Sequence, residues 1–176
     1  MSVPEFILWE AQQDERYELV DGEILAMTGG TYAHDRVRNN LILALGPHLR
    51  GTGCRLVGPD VKLRASEESP AYYPDLFLVC GEIAPDAAEI REAKLIIEVL
   101  SPSTEKKDRG GKWIDYQKLE MLQEYVLIDP QRRRIEIFRR MDSMNWRLHI
   151  CSQTEDVRFE SLEFSIAFGQ VFEDLG

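Results

Sequence analysis

The order of hydrophobic and polar positions predicts a chain in which helices and strands alternate. Residues 3–12 have helical spacing, and a second helix is indicated by apolar residues at every fourth position, Val37, Leu41, Leu45 and Leu49. Short apolar or alternating runs elsewhere favour strands. The predicted strands are Tyr17–Val20, Glu23–Met27, Cys54–Arg64, Tyr73–Cys80, Leu95–Leu100, Tyr125–Ile128, Arg134–Phe138 and Trp146–Cys151.

Turn residues and one further helix complete this arrangement. Asp21-Gly22 predicts a hairpin turn, and Ser66–Pro70 predicts an exposed turn. A third helix is expected over Thr104–Leu119, between the strands at 95–100 and 125–128, and such a unit favours a right-handed parallel crossover. The fold class that follows is α/β, more specifically an α+β mixed sheet flanked by helices.

The length of 176 residues is that of a single domain with a substantial core. We expect an N-terminal helix and hairpin over residues 1–30, the core over residues 31–140, and a C-terminal strand with a packing tail over residues 141–176. The aromatic residues of this last part are Trp146, Phe159, Phe164, Phe168 and Phe172. They would either be exposed and form an interface or pack onto the parent sheet.

The composition places the chain among soluble globular proteins. Hydrophobic residues make up 44% and charged residues 30%, and no stretch approaches the roughly 20 apolar residues of a membrane span. The first residues lack a basic segment followed by an apolar one, so we expect no signal peptide and a cytoplasmic location. Cys54, Cys80 and Cys151 are odd in number and widely spaced, which predicts reduced core thiols rather than a disulfide or a zinc site.

The charge is distributed unevenly along the chain. A net charge of −10 argues against a protein that coats nucleic acid, because neutralising phosphates supplies most non-specific affinity. Between Pro102 and Arg140, however, ten Lys and Arg face seven acids, a net +3 against −13 in the remainder. This surplus would contact a phosphate backbone, or it would form an ordinary solvated charged surface.

Two carboxylates in apolar strands are the main chemical signal. Asp75 opens one apolar run and Glu98 lies inside another, where a charge is costly unless a metal ion or a partner compensates it. Lys112 follows on the third predicted helix, and its spacing places it on one face with Asp108 and Tyr116. Two carboxylates with a nearby ammonium can hold a divalent ion and a water molecule against a scissile phosphate.

These residues occur in an order that resembles the PD-(D/E)XK nuclease superfamily and, within it, the Uma-type restriction endonuclease family. The resemblance extends from about residue 10 to about residue 140. The superfamily's usual lysine, two residues after the glutamate, is here Leu100, and the resemblance offers Lys112 in its place. The matching segments are Tyr17–Ile24, His34, Tyr73–Leu76, Ile97–Thr104, Asp108–Lys112, Tyr116 and Glu124–Pro130.

The resemblance implies a restriction-endonuclease-like fold and a metal-dependent phosphodiesterase that cuts DNA endonucleolytically. Asp75, Glu98 and Glu18 would bind Mg²⁺ or Mn²⁺, because carboxylate oxygens suit hard ions. Lys112 would assist the attacking water, and His34 would contact the phosphate or the outer shell of the metal. Cutting both strands of a duplex needs two sites, so we also expect a homodimer.

Each of these residues also has a structural interpretation. Those alternatives are a strand-edge turn for Asp75, a buried salt bridge to an arginine for Glu98, an exposed strand position for Glu18, a surface pair with Asp108 for Lys112, and a helix N-terminal position for His34. We expect His48 and His149 to be structural.

The chain as a whole has two further interpretations. It would be a non-catalytic binding or scaffolding domain with a nuclease fold, or a nuclease subunit that needs a partner to recognise DNA. The sequence contains no phosphate-binding GxxxxGK[ST] loop, no GxGxxG, no HExxH, no paired CxxC and no GxSxG. Nucleotide-driven, zinc-protease, zinc-finger and serine-hydrolase chemistries are therefore set aside.

Overall fold

The computed structural model describes residues 1–20, 22–27 and 29–175. The helices are α1 (Val3–Glu10), α2 (Tyr32–Leu49), α3 (Glu105–Asp108), α4 (Gly111–Tyr116) and α5 (Phe168–Val171), with a 3₁₀ turn at Glu160–Leu162. The strands are β1 (Tyr17–Val20), β2 (Glu23–Ala26), β3 (Cys54–Val57), β4 (Lys62–Arg64), β5 (Ala71–Tyr72), β6 (Leu76–Cys80), β7 (Glu89–Ile90), β8 (Leu95–Val99), β9 (Glu124–Asp129), β10 (Arg134–Arg140), β11 (Trp146–Ile150), β12 (Asp156–Phe159) and β13 (Phe164–Ala167).

The centre of the fold is a six-stranded sheet in the order β11-β10-β9-β8-β6-β3. β8 and β9 run parallel, while the other neighbouring strands run antiparallel. The predicted parallel pairing of the two strands that flank the third predicted helix, here β8 and β9, is therefore confirmed. The predicted fold class, a mixed α+β sheet flanked by helices, is confirmed as well.

Both faces of the sheet are covered, and the pleat decides which residues face which side. On one face, Val37, Leu41 and Leu45 of α2 pack against alternate residues of the strands and against the C-terminal segment. The opposite face carries Tyr116 and Leu119, which pack against the other set of strand residues. Because successive strand residues point to opposite faces, Glu98 shares the second face with its neighbours Ile96 and Leu100.

The predicted long strand at Cys54–Arg64 is wrong, because the chain changes sheets within it. β3 is the outer strand of the central sheet, whereas β4 belongs to a small sheet in the order β5-β4-β7. The separation falls at Gly58-Pro59-Asp60, where the N–H of Val61 donates to the carbonyl of Gly58. The turn that follows is also less exposed than predicted, since Ser69 is fully buried and its carbonyl accepts the Nε–H of Arg64.

The predicted continuous helix at Thr104–Leu119 is wrong as well, because it is interrupted at Arg109-Gly110. A Cβ atom on Gly110 would lie 2.9 Å from the carbonyl oxygen of Lys106. Two short helices, α3 and α4, therefore meet at a close backbone approach that requires glycine. This break sets the direction of α4, which carries Lys112.

The N-terminal hairpin forms as predicted within the described residues. β1 and β2 pair antiparallel, with Val20 opposite Glu23. Gly22 has a φ of +84°, a conformation that glycine adopts without steric cost, whereas Asp21 lies outside the described residues. None of the helices within the described ranges has the length and apolar character needed to cross a membrane.

The C-terminal aromatic residues are mostly part of the core. Phe159, Phe168 and Phe172 are almost completely buried, and Phe164 packs at the margin of the same cluster beneath α2. Trp146 packs against Trp113 on the other face of the sheet, with ring centroids 4.8 Å apart. Their expected exposure is therefore wrong, and the alternative of packing onto the parent sheet is correct. Gly176, the end of the predicted tail, lies outside the described residues.

The expectation of three reduced thiols is also wrong. Cys54 and Cys80 lie directly opposite each other in the antiparallel pair β3–β6 and form a disulfide, whereas Cys151 is a free, buried thiol. The two bonded residues are 26 positions apart in the chain. Only the pairing of β3 with β6 brings them together.

We predict that this disulfide contributes measurably to stability. A bond that closes a loop of this length restricts the unfolded chain, and replacing both cysteines by serine should lower the free energy of unfolding by about 3–4 kcal/mol. Thiol titration in denaturant is the direct check. The unreduced protein should present one reactive thiol, that of Cys151, and three should appear after reduction. Three thiols before reduction would contradict the bond.

Candidate active site

Asp75 and Glu98 meet at one end of the central sheet. Asp75 directly precedes β6, and the antiparallel pairing of β6 with β8 places it opposite Glu98. The N–H of Asp75 donates to Glu98 Oε2 at 3.4 Å, and the N–H of Val99 donates to Asp75 Oδ2 at 2.7 Å. The two carboxylates are therefore held by the backbone of each other's strand.

Lys112 lies at the centre of the acidic residues. Its Nζ is 3.1 Å from Glu18 Oε1 and 3.4 Å from both Glu98 Oε1 and Asp108 Oδ1. Lys112 is 4% exposed, so its pairing with Asp108 is buried and is not the surface pair considered above. We name Glu18, Asp75, Glu98, Asp108 and Lys112 together the carboxylate–lysine cluster.

Lys112 contacts Glu98 from the helix that follows the break. Leu100, at the superfamily's usual lysine position, is 5% exposed and belongs to the apolar core. α4 packs on the same face of the sheet, so Lys112 approaches Glu98 from above the strand. The hydroxyl of Tyr116, one turn further along α4, donates to Glu98 Oε1 at 3.0 Å. Asp108, Lys112 and Tyr116 do not share one continuous helix, because Asp108 is in α3 and the other two are in α4, but all three are buried and Lys112 contacts Asp108.

Glu18 reaches the cluster from the N-terminal hairpin. It is 8% exposed, so the alternative of an exposed strand position is wrong. Its Oε1 accepts the N–H of Tyr73 at 2.9 Å, in addition to contacting Lys112. The buried-arginine alternative for Glu98 is wrong too, because the side chains that contact Glu98 are those of Lys112 and Tyr116.

His34 contacts Asp75 from the first turn of α2. Thr31 caps this helix by accepting the N–H of His34, and His34 Nε2 lies 3.1 Å from Asp75 Oδ1. Burial of the ring lowers the pKa of His34, but the hydrogen bond and charge of Asp75 outweigh it, so that the pKa is raised. His34 is therefore part of the site's geometry and not only a helix-terminal residue.

Burial and neighbouring charges both shift the pKa values of the cluster. Burial raises the pKa of Glu98 well above its ordinary value, although the charge of Lys112 works in the opposite direction. Burial would lower the pKa of Lys112, but the surrounding carboxylates outweigh it and raise that pKa. Four acidic side chains face one ammonium, so full ionisation would leave an excess of three negative charges. Such an excess favours an additional cation or protonation of a carboxylate.

The residues present fit a divalent metal ion by the chemistry of their donors. Carboxylate oxygens are the ligands that Mg²⁺ and Mn²⁺ prefer, and the cluster has surplus negative charge. In addition, the buried Oδ1 of Asp108 has no hydrogen-bond partner, although it contacts the Lys112 ammonium. Lys112 occupies the space between Glu18 and Glu98.

The residues of the site differ in their exposure to solvent, and the side chain of Glu18 is 11% exposed. The side chains of His34 and Asp75 are 17% and 16% exposed, against 5% or less for Lys112, Glu98 and Asp108. His34 and Asp75 are therefore the most accessible residues of the site.

Several supporting contacts have no signal in the sequence. The backbone N–H groups of Tyr73 and Val99 orient Glu18 and Asp75, and any residue type could supply them. Arg109, at the helix break, donates to both carboxylate oxygens of Glu136 in β10 at 2.6 and 3.0 Å. This bidentate ion pair ties the α3–α4 region to the sheet and so helps to position Lys112.

Much of the basic surplus between Pro102 and Arg140 is engaged within the chain. Arg132 contacts Glu105 and Asp129, and Arg139 contacts Glu124. Ion pairs of this kind leave the arginines charged, but they partly neutralise the positive charge that a phosphate backbone would meet.

The fold and the cluster together define the class of protein. A mixed sheet with a Pro-Asp at one strand, a glutamate on the next and a buried lysine in contact with that glutamate is a restriction-endonuclease-like arrangement. Residues 3–169 match the Uma2 family, described as "Putative restriction endonuclease", and the chain belongs to this family. That description implies a nuclease with DNA as its substrate and a divalent metal ion.

Similar proteins cover nearly the whole chain. An uncharacterized protein of Synechocystis sp., slr1290, is 30% identical over 176 residues, covering 99% of this chain and 93% of its own. A second, sll1609, is 26% identical over 167 residues, covering 93% of this chain and 94% of its own. A crystal structure described as "a putative nuclease belonging to DUF820" from Anabaena variabilis has a TM-score of 0.78 at 16% identity. That match covers 98% of this chain and 97% of the other, and it shows a shared fold.

Proposed function

We propose that the protein is a metal-dependent DNA endonuclease of the PD-(D/E)XK type. The observation that carries this proposal is the carboxylate–lysine cluster, in which Lys112 contacts three buried carboxylates beside Asp75. A purely structural core would gain little from four acids around one ammonium, because buried charges are costly to desolvate. Catalytic sites, by contrast, collect such groups at the expense of stability.

Asp75, Glu98 and Glu18 would hold Mg²⁺ or Mn²⁺. When bound, the ion would lower the pKa of a water molecule and offset charge that develops on the phosphate. The chain's own residues prepare this arrangement. Val99 N–H and His34 orient Asp75, Tyr116 orients Glu98, and Tyr73 N–H orients Glu18.

Lys112 would act on the phosphate or on the attacking water. Its ammonium stays charged because the neighbouring carboxylates hold its pKa well above the ordinary value. A charged ammonium stabilises negative charge in the transition state and orients water by hydrogen bonds. His34, at the exposed side of the cluster, would contact the substrate phosphate.

The test is a cleavage assay on plasmid and linear DNA and on RNA, with Mg²⁺, with Mn²⁺ and with chelator. We expect DNA cleavage with either ion and none with chelator. Calorimetric titration of Mg²⁺ into the wild type and into an Asp75→Ala, Glu98→Ala variant locates the ion. Identical binding by both proteins would show the assigned site to be wrong. Metal binding without cleavage of any substrate would favour the scaffolding alternative, and cleavage only after addition of a cell extract would favour the partner-dependent subunit.

We further propose a homodimer that assembles through β11. This strand is at the edge of the central sheet, so the backbone groups on its outer side have no neighbouring strand in that sheet. Its side chains Leu148 and Ile150 are 46% and 48% exposed. An edge strand with apolar side chains is a template for pairing with a second copy. A two-fold dimer would supply one site for each strand of a duplex.

Light scattering at micromolar concentration tests this assembly. We expect twice the 20.3 kDa mass of one chain, and the mass of one chain for a Leu148→Glu, Ile150→Lys variant. An exposed substitution away from the edge, Leu43→Lys in α2, is the matched control and should leave the dimer intact. A wild-type mass of one chain at all concentrations would refute the dimer.

A further inference from the structure

A cluster of three side chains of metal-ligating types lies three strands away from Glu98, at the β11 edge of the sheet. His149 is in β11, Cys151 directly follows that strand, and Glu155 lies in the turn before β12. The ligand atoms of these residues all lie within 4.8 Å of one another. Within residues 1–20, 22–27 and 29–175, this is the one group of three or more His, Cys, Asp or Glu side chains with that spacing.

The local backbone explains why the three side chains converge. His149 and Cys151 are two positions apart on an extended chain, so their side chains point to the same face. The strand pairing holds both in place, because His149 lies opposite Ile137 and the N–H of Cys151 donates to the carbonyl of Ile135 at 3.0 Å. The turn after β11 then leads the chain back toward that strand, which brings the carboxylate of Glu155 close to His149 and Cys151.

Glu155 is oriented toward the histidine. Its Oε1 accepts the N–H of Ser152 at 2.6 Å and lies 3.2 Å from His149 Nε2. The side chains of His149 and Glu155 are each 42% exposed, whereas Cys151 is 6% exposed. The cluster is therefore formed by one buried sulfur and two groups open to solvent.

We propose that His149, Cys151 and Glu155 form a binding site for Zn²⁺. One thiolate, one imidazole nitrogen and one carboxylate oxygen match the ligands of this borderline-soft cation, and they differ from the all-oxygen donors of the carboxylate–lysine cluster. Binding replaces the thiol proton of Cys151, which is released to solvent. Three protein ligands leave a fourth position on the exposed side for water. The ion would fasten the edge strand β11 to the turn that leads into β12.

Spectroscopy with Co²⁺ alone tests this site independently of nuclease activity. Co²⁺ bound to a thiolate gives an intense near-ultraviolet charge-transfer band, and oxygen or nitrogen ligands do not. We expect this band in the wild-type protein without reductant, and we expect added Zn²⁺ to abolish it. Cys151→Ser should eliminate the band, while His149→Gln and Glu155→Gln should each weaken Co²⁺ binding at least about 10-fold.

Three controls isolate the assignment. An Asp75→Asn, Glu98→Gln variant and a Cys54→Ser, Cys80→Ser variant should both keep the band, and so should His48→Gln. Circular dichroism monitors folding, and the exposed positions 149 and 155 provide variants that do not alter the core. The proposal is overturned if the wild type gives no band, if the band persists in Cys151→Ser, or if His149→Gln binds Co²⁺ as the wild type does.

Discussion

Replacing Asp75 by asparagine or Glu98 by glutamine should reduce DNA cleavage at least about 100-fold while leaving the protein folded. These carboxylates would hold the ion, whose stabilisation of transition-state charge is worth several kcal/mol, and each 1.4 kcal/mol corresponds to about tenfold in rate. The amide variants preserve shape and most hydrogen bonds. They also remove one of four clustered negative charges, so thermal unfolding in chelator should occur at the wild-type temperature or above it.

Acid-to-amide changes elsewhere provide the matched control. Glu82 and Asp86 lie on the exposed loop between β6 and β7, and Glu82→Gln and Asp86→Asn should cleave DNA at the wild-type rate. Initial rates at saturating Mg²⁺ are the measurement. If Asp75→Asn and Glu98→Gln cleave as fast as these loop variants, the carboxylates have no part in the reaction.

Replacing Lys112 by methionine should lower the free energy of unfolding by about 3–5 kcal/mol, the cost of leaving buried charges without their partner. Methionine keeps the volume and the apolar part of the side chain, so the loss reports the missing charge and not a cavity. The remaining carboxylates, Glu18, Glu98 and Asp108, would repel one another. Added Mg²⁺ should restore more stability to this variant than to the wild type, because a bound cation replaces the ammonium.

Lys118→Met is the control for this experiment. Lys118 is on the same segment and pairs with Asp115, but its side chain is 48% exposed, so its loss should cost about 0–1 kcal/mol. Urea unfolding in chelator, followed by circular dichroism, measures both variants. Equal midpoints for Lys112→Met and Lys118→Met would mean that the buried contacts of Lys112 do not exist in solution.

The sequence correctly predicted the helices and strands whose apolar positions all face the core. The fourfold spacing in α2 and the apolar run in β8 were sufficient, because each follows from which side of an element is buried. The prediction failed where an apolar or helical pattern was extended across turn residues, Gly58-Pro59 in one case and Gly110-Gly111 in the other. Val57 and Lys62 belong to different sheets, and the third helix breaks at Gly110 because its backbone approaches Lys106.

The same division applies to the chemistry. The sequence by itself determined the fold class from its pattern of apolar positions, and Asp75 and Glu98 stood out as carboxylates in apolar runs. The resemblance to a known family added Lys112, Glu18 and His34 as candidates. Only the tertiary structure decided that Lys112 contacts three carboxylates at once, that Cys54 is bonded to Cys80, and that Glu155 meets His149. The physical reason is that such contacts depend on strand register and helix direction, which arise from packing across the whole chain and leave no mark in the neighbouring residues.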